Sequence, residues 1–104
     1  MPKGKDFEEY LIEKLKDPRR ALGYLNAVVE DCRDGSKESQ QLLLLAFKAI
    51  IQAQGGMTKV AEKTALNRES LYKALSKNGN PKLTTLSALV GAMGFEFKFV
   101  LAKR

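Results

Sequence analysis

The side chains whose types and spacing could do chemistry gather in one stretch, Asn67 to Ser76, where Arg68, Glu69, Ser70, Tyr72 and Lys73 interleave with Leu71, Ala74 and Leu75. At helical spacing the apolar three share one face, so the polar residues project from the other. A helix that reads a duplex presents its first turn and one face to base edges while neighbouring groups hold phosphates. Arg68, Glu69 and Lys73 occupy the reading positions. Arginine or lysine donates to guanine O6 and N7, glutamate accepts from cytosine N4, and a good pair discriminates by about 1–3 kcal/mol. Asn67 can cap the helix through its side-chain oxygen, which leaves these residues and Lys77 facing outward. Thr58, Lys59, Ser70 and Tyr72 are placed as phosphate contacts, Thr58 at the start of the preceding helix.

Charge is distributed to match. The formal net charge is +6, but residues 1–38 hold 8 Lys/Arg against 9 Asp/Glu, a balance of −1, and residues 39–104 hold 10 against 3, a balance of +7. A polyanion would bind the basic half, although surplus lysine also serves solubility alone, so spacing has to decide. An ordinary solvated helix face is the plain alternative for Arg68 and Lys73. Their joint placement on one helix, with Lys59, Lys63 and Lys77 nearby, favours phosphate and base contact. Glu69 could equally pair with Lys73 at the i, i+4 spacing.

Catalysis finds no footing. Cys32 is the only cysteine and histidine is absent, so the usual zinc and general-base constellations cannot be assembled, and neither metal, cofactor nor enzymatic activity is expected. Cys32 reads as a small buried apolar residue. Glu8, Glu9, Glu13 and Asp17 read as solvated helix surface, and Gly55-Gly56 is too short for a phosphate-cradling loop. No apolar run approaches the roughly 18 residues of a membrane span, and the first ten residues lack an apolar signal stretch, so a cytoplasmic protein with no membrane contact is expected.

Six helices and a strand are predicted to position the basic face. The first spans Asp6 to Lys16, with Asp6 as its cap and Phe7, Tyr10, Leu11 and Leu15 as its apolar stripe. Asp17-Pro18 ends it and opens a second, because proline suits the first helical turn and aspartate accepts the free amide protons. Ala21, Leu22, Leu25, Val28 and Val29 form the second stripe. After the turn Asp34-Gly35-Ser36 a third helix runs from Lys37 to Gln54, capped by Ser36 or Ser39, and its Leu42 to Leu45 run with Phe47, Ile50 and Ile51 puts it mid-core. Gly55-Gly56 stops it.

Short helices follow over Met57 to Lys63, Asn67 to Ser76, and Leu83 or Thr84 to Met93, with loop chemistry from Lys77 to Pro81. Ala61 is small where the first two must cross closely, Leu71 points into the core ten residues on, and Val60, Leu66, Ala74 and Leu75 complete the contact. Gly94 ends the last helix and Phe95 to Leu101 alternates like a strand. Phe95, Phe97 and Phe99 could simply cover the core. A lone strand leaves its backbone unpaired, however, so these residues and Leu101 are predicted to pair antiparallel with a second copy, placing two reading helices about one DNA turn apart in a homodimer.

Residues Met57 to Gly94, with RESLYKALS, then GNP and a closing MG, resemble the Xre/Cro-type helix-turn-helix and, more specifically, HigA-like addiction-module antidote (antitoxin) proteins. Phe7 to Lys16, the Asp17-Pro18 step and Arg19 to Asp31 extend the resemblance over nearly the whole chain. It implies an all-α fold: a lambda-repressor-like helix-turn-helix domain over residues 36–104, with two extra N-terminal helices in an arm over residues 1–35 and a short C-terminal β-strand. It further implies an autorepressor that binds double-stranded DNA at the operator of its own operon and neutralises a RelE/HigB-like toxin, which the arm is expected to contact. A stand-alone Xre-family regulator, or a helical protein-protein adaptor, are the other readings. One position departs from the pattern: the turn residue four after Ala61 is usually glycine, and Ala65 in the left-handed conformation would cost on the order of 1 kcal/mol.

Overall fold

Six α-helices make up the regular structure of residues 5–103, the part of the chain that the computed structural model describes. They are α1 (Lys5–Leu15), α2 (Pro18–Asp31), α3 (Lys37–Ala53), α4 (Met57–Glu62), α5 (Arg68–Ala74) and α6 (Leu83–Ala92).

Local chemistry accounts for most boundaries. Asp17 Oδ1 accepts the Arg19 backbone N–H at 2.9 Å, and Pro18 opens α2. At α3 the cap is Ser36, whose Oγ accepts the Ser39 N–H at 3.1 Å. Asp34 braces that cap: its Oδ1 accepts the Ser36 N–H at 3.0 Å and the Ser39 hydroxyl at 2.6 Å. Those donors, Ser39 foremost, hold the Asp34 carboxyl below its ordinary value. Asp6 does not cap α1. It lies inside the first turn with Glu8, where a carboxylate faces the positive helix end. Gly55 and Gly56, at φ of 106° and 95°, turn the chain out of α3 through a backbone region that side chains avoid.

Helix α3 is the spine. Leu44, Ala46, Phe47, Ile50 and Ile51 are buried along it, and the core runs without a break from Leu15, Ala21 and Leu25 of the first two helices to Leu71, Leu75 and Leu89 of the last two. Gln54 ties the spine to the end of α6 by donating to the Met93 carbonyl oxygen at 3.1 Å. Not every apolar residue joins in. Leu22 and Val29 on α2, Phe7 and Tyr10 on α1, and Leu42 and Leu45 on α3 are exposed. On α2 the core-facing line is the buried Ala21 and Leu25 with the half-buried Val28, and one residue along a helix is a rotation of about 100°, enough to carry Leu22 and Val29 off that line.

The predicted C-terminal strand does not form. Gly94 (φ 85°) ends α6, the Phe95 N–H returns to the Val90 carbonyl oxygen at 3.0 Å, and no strand occurs among the described residues. Residues 96–103 carry no regular secondary structure and have no neighbouring strand. Alternation alone makes no ladder, because a strand exists only through the backbone it pairs with. No helix among the described residues is long and apolar enough to cross a membrane.

Candidate nucleic-acid interface

The basic face is built from α4, α5 and the turns around them. In α4, Met57 and Val60 are buried, which directs Thr58 and Lys59 to the surface. The chain then turns over residues 63–66 without glycine. Every residue with positive φ among those described is a glycine, so Ala65 does not adopt the left-handed conformation and the strain expected there does not arise. Thr64 takes the place of a glycine. Its hydroxyl donates to the Ala61 carbonyl oxygen and accepts the Leu66 N–H, both at 3.2 Å, closing the turn with a side chain.

Asn67 starts α5 by accepting the Ser70 N–H on Oδ1 at 2.7 Å. Leu71 and Leu75 are fully buried (0% exposed), and Ala61 and Leu66 pack against the same cluster. With that face fixed, Asn67, Arg68, Glu69, Ser70, Tyr72 and Lys73 are all exposed, as is Lys77 just beyond the helix. The Arg68 guanidinium sits over the Tyr72 ring, 5.4 Å from its centroid.

No ion pair forms on this face among the described residues. The ion pairs among the described residues are Lys16–Glu13, Arg20–Asp17 and Arg33–Glu30, all on the first two helices and the turn after them. Glu69 and Lys73, for which pairing was the alternative, are not joined. Exposed Lys59, Lys63, Arg68, Lys73 and Lys77 outnumber the exposed Glu62 and Glu69 there, and such a surplus creates the positive potential that a polyanion neutralises.

The four residues expected at a dimer contact separate in the structure. Phe95 packs against the core, while Phe97, Phe99 and Leu101 are exposed, the last two at 87% and 96%. Phe97 and Phe99 meet edge to face with centroids 5.8 Å apart.

Two features go beyond what the sequence pattern placed. One is a groove of about 520 Å³ in which Tyr72 of α5 faces Leu11 and Ile12 of α1, Tyr24 of α2 and Lys48 of α3; burial pushes the Tyr24 phenol above its ordinary value. The other is the turn after α5. Gly79 is buried there, its N–H donates to the Ser76 carbonyl oxygen at 2.8 Å, and the Gln40 amide of α3 donates to its carbonyl oxygen at 2.6 Å. A Cβ on Gly79 would overlap the Ala74 carbonyl, so the glycine in the GNP tripeptide is required by space, not by its φ. That tripeptide was the available signal, but a contact spanning 39 residues was not.

Comparison with known proteins bears on the whole chain. A family described as "Probable addiction module antidote protein" matches residues 5–101. An uncharacterized protein of Haemophilus influenzae (strain Rd) is 31% identical over 94 residues, which cover 90% of this chain and 88% of that protein. No solved structure matches. With the family covering all six helices and the basic face they carry, the chain belongs to the family of probable addiction module antidote proteins.

Proposed function

We propose that the chain is the antitoxin of a type II toxin-antitoxin module, HigA-like, which represses its own operon by binding operator DNA and neutralises a RelE/HigB-like toxin in the cytoplasm. It acts by binding and not by catalysis. In this reading α4 and α5 form an Xre-type helix-turn-helix: Arg68, Glu69 and Lys73 meet base edges, while Thr58, Lys59, Ser70, Tyr72 and Lys77 hold phosphates. The observation that carries it is the division of α5 into a wholly buried side, Leu71 with Leu75 at its C-cap, and a side of exposed cations and polar groups with no carboxylate paired to them. A helix held that firmly can be pressed into a groove without losing its shape.

The toxin contact falls on α1 and α2, whose exposed Phe7, Tyr10, Leu22 and Val29 lie among the carboxylates of the less basic half. Apolar patches rimmed by charge are what protein partners cover. The homodimer uses residues 95–101, whose exposed Phe97, Phe99 and Leu101 side chains would be covered by a second copy.

The test is a binding titration of the full chain with duplex from upstream of its own reading frame, beside co-expression with the neighbouring gene product. Salt-sensitive affinity and co-purification, the latter lost on removing residues 1–34, are expected. A protein-only adaptor is the reading favoured by the exposed Leu42 and Leu45 together with the apolar tail. It predicts no DNA affinity at any salt concentration.

A further inference from the structure

We infer that the DNA-binding surface continues past the C-terminal end of α5 onto a second patch, formed by the start of α3 and the turn at residues 77–80, which grips the phosphate backbone through Lys37 and Lys77. This rests on the DNA-binding reading of α5 and adds to it a set of contacts on a helix outside the α4–α5 pair.

Two open clefts meet there. One, of about 320 Å³, is lined by Lys37, Gln40 and Gln41 of α3 and by Lys77, Asn78 and Asn80 of the turn. The other, of about 500 Å³, shares Asn78 and Asn80 and runs along Ser70, Lys73 and Ser76. Because Ser70 and Lys73 belong to the exposed side of α5, the patch is continuous with the reading face. No carboxylate lines either cleft, and Glu38, the acidic residue in the first turn of α3, is absent from both. Lysine with serine, asparagine and glutamine amides is the set that contacts phosphate oxygens in protein–DNA interfaces.

The patch is also held in place. Gln40 and Gly79 join α3 to the turn at 2.6 Å, Gly79 bonds back to Ser76 at 2.8 Å, and the packing of Gly79 on the Ala74 carbonyl leaves no slack between turn and helix. Gln40 is therefore a positioning residue. The ordering cost of bringing Lys37 and Lys77 to one surface has been met before DNA arrives. Base edges carry sequence and phosphates do not, so the patch adds affinity evenly across sequences.

Anisotropy titrations of the full chain, with duplex from upstream of its own reading frame and with an unrelated duplex of equal length, over roughly 50–200 mM salt, test this. Each phosphate contact contributes about 0.9 to the slope of log K against log salt, so Lys37→Ala/Lys77→Ala should make the slope shallower by about 1.8. Both duplexes should weaken by the same factor, and the thermal midpoint should not move. Lys16→Ala/Arg33→Ala removes the same charge elsewhere and should leave the slope alone. Gln40→Ala, which removes no charge, should weaken both duplexes. An unchanged slope in the Lys37/Lys77 variant while the parent chain binds DNA overturns the patch, and with it the phosphate contact given to Lys77, and spares the residues of α5 itself; a slope shallower by only about 0.9 is the contact of Lys77 alone and overturns the extension to α3. Equal loss in the Lys16/Arg33 variant assigns the effect to overall charge and overturns it too, as does a changed preference between the two duplexes. A parent chain that binds neither duplex overturns the α5 reading and the patch with it.

Discussion

The Arg68 guanidinium lies over the Tyr72 ring, 5.4 Å from its centroid, one turn further along the same helix. Both residues are exposed, and an exposed pair of this kind is worth about 0.5–1 kcal/mol. A bidentate contact to guanine is worth about 1–3 kcal/mol. The base is the stronger partner, so Tyr72 holds Arg68 against the helix in the free protein without preventing its transfer to DNA. Tyr72→Phe, which keeps the ring but removes the hydroxyl given to phosphate, should weaken operator binding about two- to tenfold, and Tyr72→Ala, which also frees Arg68 from a pair that binding must break, should weaken it no further in the same titration.

Asn67 governs the start of α5 through the 2.7 Å bond from the Ser70 N–H. Asn67→Ala removes the acceptor and should cost about 1 kcal/mol of stability in urea unfolding. Asn67→Asp keeps an acceptor in place and should fall within a few tenths of a kcal/mol of the parent. Equal losses in the two variants would show that the cap bond contributes nothing.

Asp34 makes the α3 cap sensitive to acid. Its carboxyl is held below the ordinary value of 3.8 by the Ser39 hydroxyl and then by Ser36. A carboxylate with a lowered folded-state value stabilises the fold above its unfolded value and loses that contribution as pH falls through the folded one. The stability difference between the parent chain and Asp34→Ala should therefore be constant near neutrality and shrink below about pH 4. Urea midpoints measured from about pH 7 to pH 3 would show it, and a difference independent of pH would contradict it.

The tail can be examined without touching the helices. Phe99 and Leu101 are 87% and 96% exposed and residues 96–103 pair with no strand, so removing residues 96–104, which keeps Phe95 on the core, should turn a dimer into a monomer by light scattering. The truncated chain should bind DNA much more weakly, since one reading helix replaces two. An unchanged dimer would place the contact elsewhere.

How far the sequence could be read follows from how far each signal reaches. Asp17, Ser36 and Asn67 were legible because a cap acts on an amide two or three residues away, and Gly55-Gly56 because the chain must reverse there. Leu22, Val29, Leu42 and Leu45 misled, since hydrophobicity marks a residue that can be buried and not whether a neighbour covers it. The tail misled for a related reason: Phe95, Phe97 and Phe99 alternate, but a ladder needs a partner that one chain does not contain. At Ala65 the expected strain vanished because the Thr64 hydroxyl closes the turn in another way. On the basic face the exposed residues of α5 were all legible from helical spacing. Gln40 and Lys37 were not, because only the folded chain brings α3 beside Gly79.

The most direct measurement is the preference of Arg68→Ala/Lys73→Ala for operator over unrelated duplex. Both side chains are exposed and neither is paired with a carboxylate, so the variant should keep the parent's circular dichroism and thermal midpoint while its affinity for operator falls to that for unrelated DNA. A variant that folds and retains the full preference would show that some other surface reads the sequence.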